Sequence, residues 1–335
     1  MRIAIFNPKV TPDLRAKLKA LRSIAEKKGF ALISGSVIST PRRKKALAAF
    51  LKLIDKMPAD VYDKNNARRR FVTYAHFYKP VEDGDTLLYF TQPQYDIDVG
   101  AKLFQYQLSG KFQPENAEPR KFAPVPDKAL KHPFLHELIE AGFHVAPLQP
   151  NYRMLPMEVE VQFIRYEPRR NRPALGTPPT THQDNDWAFC IFLLEWENVE
   201  GPINAFVPVE HSNKALETIP QEKITRITLV ETLGGYCVED TKIAHYVGPV
   251  ELKMGAEYGR RTIVILSYKP LIPLRPEDVK TTVDVLRTNP KLLEEKPDAP
   301  ESIKIDPNAS TRLTPGLRPK GSPVSGPITL RRSRY

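Results

Sequence analysis

Apolar residues recur at helical spacing near the start of the chain. Leu14, Leu18, Leu21 and the Ile24/Ala25 pair make one stripe, Pro12 suits a first helical position, and Gly29 can end the helix, so residues 12–28 are predicted as a helix. FALIS (30–34) reads as a short strand. A second helix follows, with Thr40 as N-cap, Pro41 at its first position, and Ala46, Ala49, Phe50, Leu53, Ile54 and Met57 on one face until Pro58 stops it. Residues 66–78 are rich in β-branched and aromatic side chains and predict a strand. The stretch 80–126 carries many Gly, Pro and Asp residues and reads as a loop region with a little structure around YDIDVGAKLFQYQL. Leu130, Phe134, Leu135, Leu138 and Ile139 predict a helix over 127–141, closed by Gly142.

From residue 156 the period changes from about 3.6 to 2. In MEVEVQFIRY (157–166), Val159, Val161 and Phe163 face one way, and Glu158, Glu160 and Gln162 the other. WAFCIFLLEW (187–196) is apolar on both faces and predicts a strand buried on both sides. Further strands are predicted in 201–209, 224–230, 238–252 (a pair) and 260–268. Short strands between turn signals, behind a helical N-terminal part, predict a mainly β, α+β domain with a sandwich or barrel core. We expect one domain over 1–284, with helices before residue 57 and the β core at about 150–270. The Pro-rich, aperiodic stretch 285–335 is expected to be a disordered tail.

Composition changes this picture little. Of 335 residues, 41% are hydrophobic and 27% charged, enough apolar material for a sizeable core. No run approaches the eighteen or so apolar residues of a membrane span. MRIAIFNPKV has no apolar h-region, so a cytoplasmic protein is expected. Cys190 and Cys237 both lie in apolar runs and are expected as two buried thiols. The net charge is +11, but residues 301–335 hold seven Lys/Arg against Glu301 and Asp306, so the tail supplies five of those charges. It carries no interleaved aromatic residue before Tyr335, and nucleic-acid binding is not expected.

The chemistry concentrates in TTHQDND (180–186), just before the most apolar strand. On an extended chain His182 and Asp184 point to the same side, so an imidazole and a carboxylate can meet one metal. A third ligand would complete a 2-His-1-carboxylate set with positions left open. Seven histidines exist, and His245 is the best placed, in a strand-like segment sixty-three residues past His182. Arg260 and Arg261 open the last strand, where a guanidinium can grip a carboxylate through paired hydrogen bonds. Taken alone, His-x-Asp is common, and these residues would equally suit a loop hydrogen bond and a core histidine. HELIE (136–140) lacks the second histidine of the zinc-protease helix.

Six blocks in order, DVYDKNNARRRFVTY (60–74), MEVEVQFIRY, PPTTHQDND (178–186), NVEGPINAF (198–206), VEDTKIAHYVGPV (238–250) and GRRTIVILSY (259–268), resemble the 2-oxoglutarate-Fe(II) dioxygenases that include the L-isoleucine hydroxylases. The resemblance runs from about 58 to 268. It implies a double-stranded β-helix (jelly-roll) core, iron(II) on His182, Asp184 and His245, and 2-oxoglutarate and O₂ as cosubstrates. It also implies hydroxylation of a free amino acid or similar small molecule, with succinate and CO₂ released. The distal carboxylate of 2-oxoglutarate would meet Arg261 by the family's Gly-x-Arg pattern, or Arg260 by an Arg-x-Thr pattern. Thr180-Thr181, Asn185-Asp186 and Gly201-Pro202 depart from the family's glycines beside the site and bear on the substrate. Gln162, Asp186 and Arg165 are candidates to meet it. The same iron site could serve desaturation or ring closure, and the same barrel a cupin-type isomerase or binding module. Asp184 argues against halogenation, which needs its coordination position for halide.

Overall fold

The computed structural model describes residues 4–271, apart from 7–9, 80–83, 85, 107–117, 151, 177 and 185. The expected tail, 285–335, lies outside the described residues. The described residues belong to one compact unit. Among the described residues no helix is long and apolar enough to cross a membrane.

Three helices cover one face of the main sheet. Helix α1 (Pro12–Lys28) starts where Thr11 Oγ1 accepts from the Leu14 amide, and ends on Gly29 at φ 82°, a left-handed conformation that glycine adopts without steric cost. Strand β2 (Phe30–Ile33), the short helix α2 (Gly35–Ile38) and α3 (Pro41–Leu53) follow. Thr40 caps α3 as expected, through the Arg43 amide, but the helix stops at Leu53 rather than at Met57. The helix expected over 127–141 is in fact two. The single turn α4 (Asp127–Leu130) breaks off, and α5 (Pro133–Val145) restarts at Pro133, with His132 Nδ1 accepting from the Phe134 amide. Helix α5 runs straight through Gly142, the residue expected to end it.

The main sheet has eight strands in the order β1-β4-β3-β8-β16-β9-β13-β2. They are β1 (Ala4–Phe6), β2, β3 (Arg68–Tyr78), β4 (Thr86–Phe90), β8 (Met157–Tyr166), β9 (Ala188–Glu197), β13 (Gly235–Val238) and β16 (Arg260–Pro270). All pairings in it are antiparallel. Facing it are a three-stranded sheet of β11 (Asn204–Pro208), β12 (Thr225–Ile227) and β14 (Ile243–Val247), and a pair, β10 (Val199–Glu200) with β15 (Glu251–Leu252). Main-chain bridges His182↔His245 and Ala174↔Val250 add the 174–182 segment to this second layer. These two layers are the double-stranded β-helix. The stretch 80–126, expected as loop, contains β4, β5 (Gln94–Asp96), β6 (Ala101–Tyr106) and β7 (Arg120–Phe122), the last three forming a small antiparallel sheet of their own.

Two cores result. Val161, Phe163, Cys190, Phe192, Val264 and Leu266 pack beneath the helices with Leu18, Phe50 and Leu138. Ile164, Tyr166, Phe189, Ile191 and Ile263 pack between the two layers with Phe206 and Tyr236. Phe30 stacks on Phe206 at 4.6 Å, tying the layers together. Strand β9 contributes to both cores, which explains its apolar residues on both faces. Cys190 and Cys237 are register partners on β9 and β13, both buried and unbridged, as expected.

Candidate active site

Antiparallel register partners share a face, so the pairing of β3, β8 and β16 maps the wall that faces the second layer. Across β3, β8 and β16 it reads Arg68–Tyr166–Arg261, then Arg70–Ile164–Ile263, Val72–Gln162–Ile265, Tyr74–Glu160–Ser267 and His76–Glu158–Lys269. One end is cationic, the middle mostly apolar, and the far end carries Tyr74, Glu160 and Ser267 beside the Glu158–Lys269 ion pair. Arg165 belongs to the opposite face. It donates from Nε to Thr262 Oγ1 and from Nη1 to the Asp55 carbonyl, and pairs with Glu195, beneath the helices rather than at the site.

His182 and His245 come from different segments but are held side by side. Each donates its amide to the other's carbonyl, at 2.8 and 2.9 Å, and their rings lie 4.1 Å apart. Asp184 projects between them, with Oδ1 3.7 Å from His182 Nε2 and Oδ2 3.6 Å from His245 Nε2. One donor atom from each lies within 4.8 Å of the others, a spacing that one metal ion can bridge. The chemistry of the set fits iron(II): two imidazoles and one carboxylate leave further positions open. His182 donates from Nδ1 to the Thr180 carbonyl, at 3.0 Å, which leaves Nε2 as its ligand nitrogen. Burial, then the neighbouring His182, push the His245 imidazole down to about 3, keeping it neutral and able to bind metal at ordinary pH.

The loop that carries Asp184 is fixed by a residue that sequence reasoning missed. Asp240 is buried, and its two carboxylate oxygens accept the amides of Asp184 and Asp186, both at 3.2 Å. Burial raises its carboxyl well above the usual range, and Asp184 and Asp186 raise it further. Its signal was the acidic turn VEDT just before the His245 strand, unremarkable without the fold.

The two candidate arginines separate cleanly. Arg260 is about a third exposed and reaches Asp55 and Glu195. Arg261 is 1% exposed, its Nε and Nη1 have no hydrogen-bond partner, and its Cζ lies 5.6 Å from the Tyr166 ring centre. A buried guanidinium with unmet donors is costly unless a ligand supplies acceptors. The cleft at the metal set is lined by His182, Asp184, His245, Gln162, Ile191, Ile263 and Ile265. Tyr106 and Arg120 of the small sheet also line it. Gln162 donates to Glu160, whose buried carboxyl is raised to about 7, first by desolvation. Asp186 sits at the acidic end of the wall, bonded to Ser267.

The sequence profile of the 2OG-Fe dioxygenase family matches residues 51–267, about two-thirds of the chain, and the chain belongs to that family. Its cofactors are therefore iron and 2-oxoglutarate. No curated protein matches the sequence. Among solved structures the fold is similar to that of IDO from Bacillus thuringiensis, at TM-score 0.55 and 16% identity over 81% of this chain and 99% of that one. It is also similar to a bsmA homolog from Methylobium petroleophilum PM1, at TM-score 0.57 and 15% identity over 78% and 95%. A third similar fold is the Fe(II)/α-ketoglutarate-dependent dioxygenase TqaL, at TM-score 0.53 and 13% identity over 80% and 93%. At such identities the likeness is one of fold.

Proposed function

We propose that this 2OG-Fe dioxygenase holds its iron on His182, Asp184 and His245, holds the distal carboxylate of 2-oxoglutarate on Arg261, and hydroxylates a free amino acid. The observation that carries the reading is the convergence of the three ligand side chains on a cleft in a wall that also bears a buried arginine with unmet donors. The iron, with 2-oxoglutarate and O₂, supplies the oxidation of a C–H bond, with succinate and CO₂ as by-products.

The chain's own residues place and shield the reactants. The reciprocal main-chain bonds between His182 and His245 set the two imidazoles, and Asp240 sets Asp184 by holding its amide. Arg261 offers two parallel N–H donors to a carboxylate, a match of shape as well as charge. Ile191, Ile263 and Ile265 give the cleft an apolar wall. The amino-acid reading is supported by the sequence blocks that resemble the L-isoleucine hydroxylases, and by the acidic end of the wall. Glu160, Asp186 and the Gln162 amide offer acceptors for a substrate ammonium.

Iron(II) followed by 2-oxoglutarate, added without oxygen, is expected to give a weak visible charge-transfer band. The band should be lost in His182→Ala and Asp184→Ala, and so should succinate release in an amino-acid screen. Iron binding with no band in the unaltered protein would remove the cosubstrate assignment.

A further inference from the structure

We infer that Glu160 is a positioning residue: it turns the Gln162 amide so that the Gln162 carbonyl oxygen is left for the cleft, where it accepts from a hydrogen-bond donor of the substrate, an ammonium in the amino-acid reading. The inference deepens the functional reading above and rests on it insofar as the substrate enters the cleft that holds the metal ligands.

Residues two apart on a strand share a face, so Glu160 and Gln162 of β8 both stand on the wall toward the second layer. Both are buried, and their side chains are bonded to each other. Of the two, Gln162 lines the cleft and Glu160 does not. An amide side chain has a donor end and an acceptor end of the same outline, so its partner decides which end is which. A carboxylate can only accept. Nε2 is therefore the end that meets Glu160, and Oε1 is the end left over. The register partners of Gln162 are Val72 on β3 and Ile265 on β16, so the wall offers that oxygen no polar neighbour to either side. No hydrogen bond to it forms among the described residues.

Glu160 is itself held in place. The Tyr74 hydroxyl, on its register partner across β3, is a second donor to it. The remaining acids of the wall are engaged elsewhere: Asp186 with Ser267, and Glu158 with Lys269 at 3.0 Å. Desolvation raises the Glu160 carboxyl to about 7, so above that pH it is ionised and fixes the amide in one sense. Donation from Nε2 to an anion also polarises the amide and makes Oε1 a better acceptor. An acceptor between apolar neighbours is costly to cover with hydrocarbon and favours a donor, most of all a charged one. A substrate without a donor at that point leaves the oxygen unpaired, which is how a polar site rejects a close analogue.

The test uses the full chain loaded with iron(II) and 2-oxoglutarate under argon. Each of the common L-amino acids, and its des-amino analogue with hydrogen in place of the ammonium, is titrated by calorimetry. At least one amino acid should bind at least about 10-fold more tightly than its analogue, and Gln162→Leu and Glu160→Met should each reduce that preference below about 3-fold. The double variant Glu160→Gln with Gln162→Glu exchanges the two groups. It keeps a bonded donor and acceptor and again leaves an acceptor oxygen on the cleft side, so it should restore the preference, which a merely structural role would not. It also serves if Glu160→Met does not fold. The iron–2-oxoglutarate absorption band should persist in every variant. Equal binding of amino acid and analogue, a preference that survives either single substitution, an exchange that restores nothing, or loss of the band overturns the inference. Should no amino acid bind, the amino-acid reading fails, and small hydroxy acids are titrated against their deoxy analogues instead. A preference there that depends on Glu160 keeps the positioning role without that reading, and no binding, or none that depends on Glu160, removes both.

Discussion

Arg260 and Arg261 are neighbours in sequence, yet alternation on a strand sends them to opposite faces, and their surroundings decide between them. Arg260 has Asp55 and Glu195, whereas Arg261 has two buried nitrogens with no partner. Arg261→Met should therefore raise the KM for 2-oxoglutarate at least about 30-fold, while Arg260→Met should change it little. Steady-state succinate formation at varied 2-oxoglutarate checks both. Asp240 acts through the backbone of the Asp184 loop, so it is a positioning residue. Asp240→Ala should weaken iron binding about 10- to 100-fold, read by competition with a chelator, with the fold retained by circular dichroism. The metal set was legible because His-x-Asp on an extended chain has a fixed geometry and few other histidines were available. Asp240 was not legible, since it acquires its role from the amides of a loop far away in sequence. Alternation in MEVEVQFIRY already sets Arg165 on the face of Val161 and Phe163, where the structure has it, away from the cleft.

Periodicity recovered the long elements and lost the short ones. Strands β3, β8, β9 and β16 each run ten or eleven residues, enough for the pattern to register. Strands β5 and β7 have three residues each, too few to show a period, and so 80–126 read as loop. Helix α5 shows how packing overrides local preference. Glycine costs a helix about 1 kcal/mol relative to alanine, so Gly142→Ala would stabilise an isolated helix. Here an added methyl would collide with Tyr268 Oη and lie 3.1 Å from Leu266 Cδ1. Tyr268 donates that hydroxyl to the Ile139 carbonyl at 2.6 Å and cannot easily yield. Overpacking should win, and Gly142→Ala should destabilise the protein by about 1–3 kcal/mol in denaturant melts.

Across the whole molecule, the family match ends at residue 267 and the described residues at 271, so the metal set, the candidate 2-oxoglutarate arginine and both cores precede the basic tail. A chain ending at Val283 should keep its melting temperature and its succinate formation, while losing about a third of the excess positive charge. Activity assays and a salt-dependent ion-exchange profile check this. The mainly β layout followed from strand spacing, but the order of strands in the sheet did not, because β1 and β2 reach its two edges from the far N-terminus. That layout divides labour in the chain. His182, Asp184, His245 and Arg261 all belong to the jelly roll, whereas Tyr106 and Arg120 come from the small β5–β6–β7 sheet, an excursion between β4 and α4. Substitutions on the cleft side of that excursion should therefore change which molecules the cleft admits while leaving the metal ligands on their own segments in place.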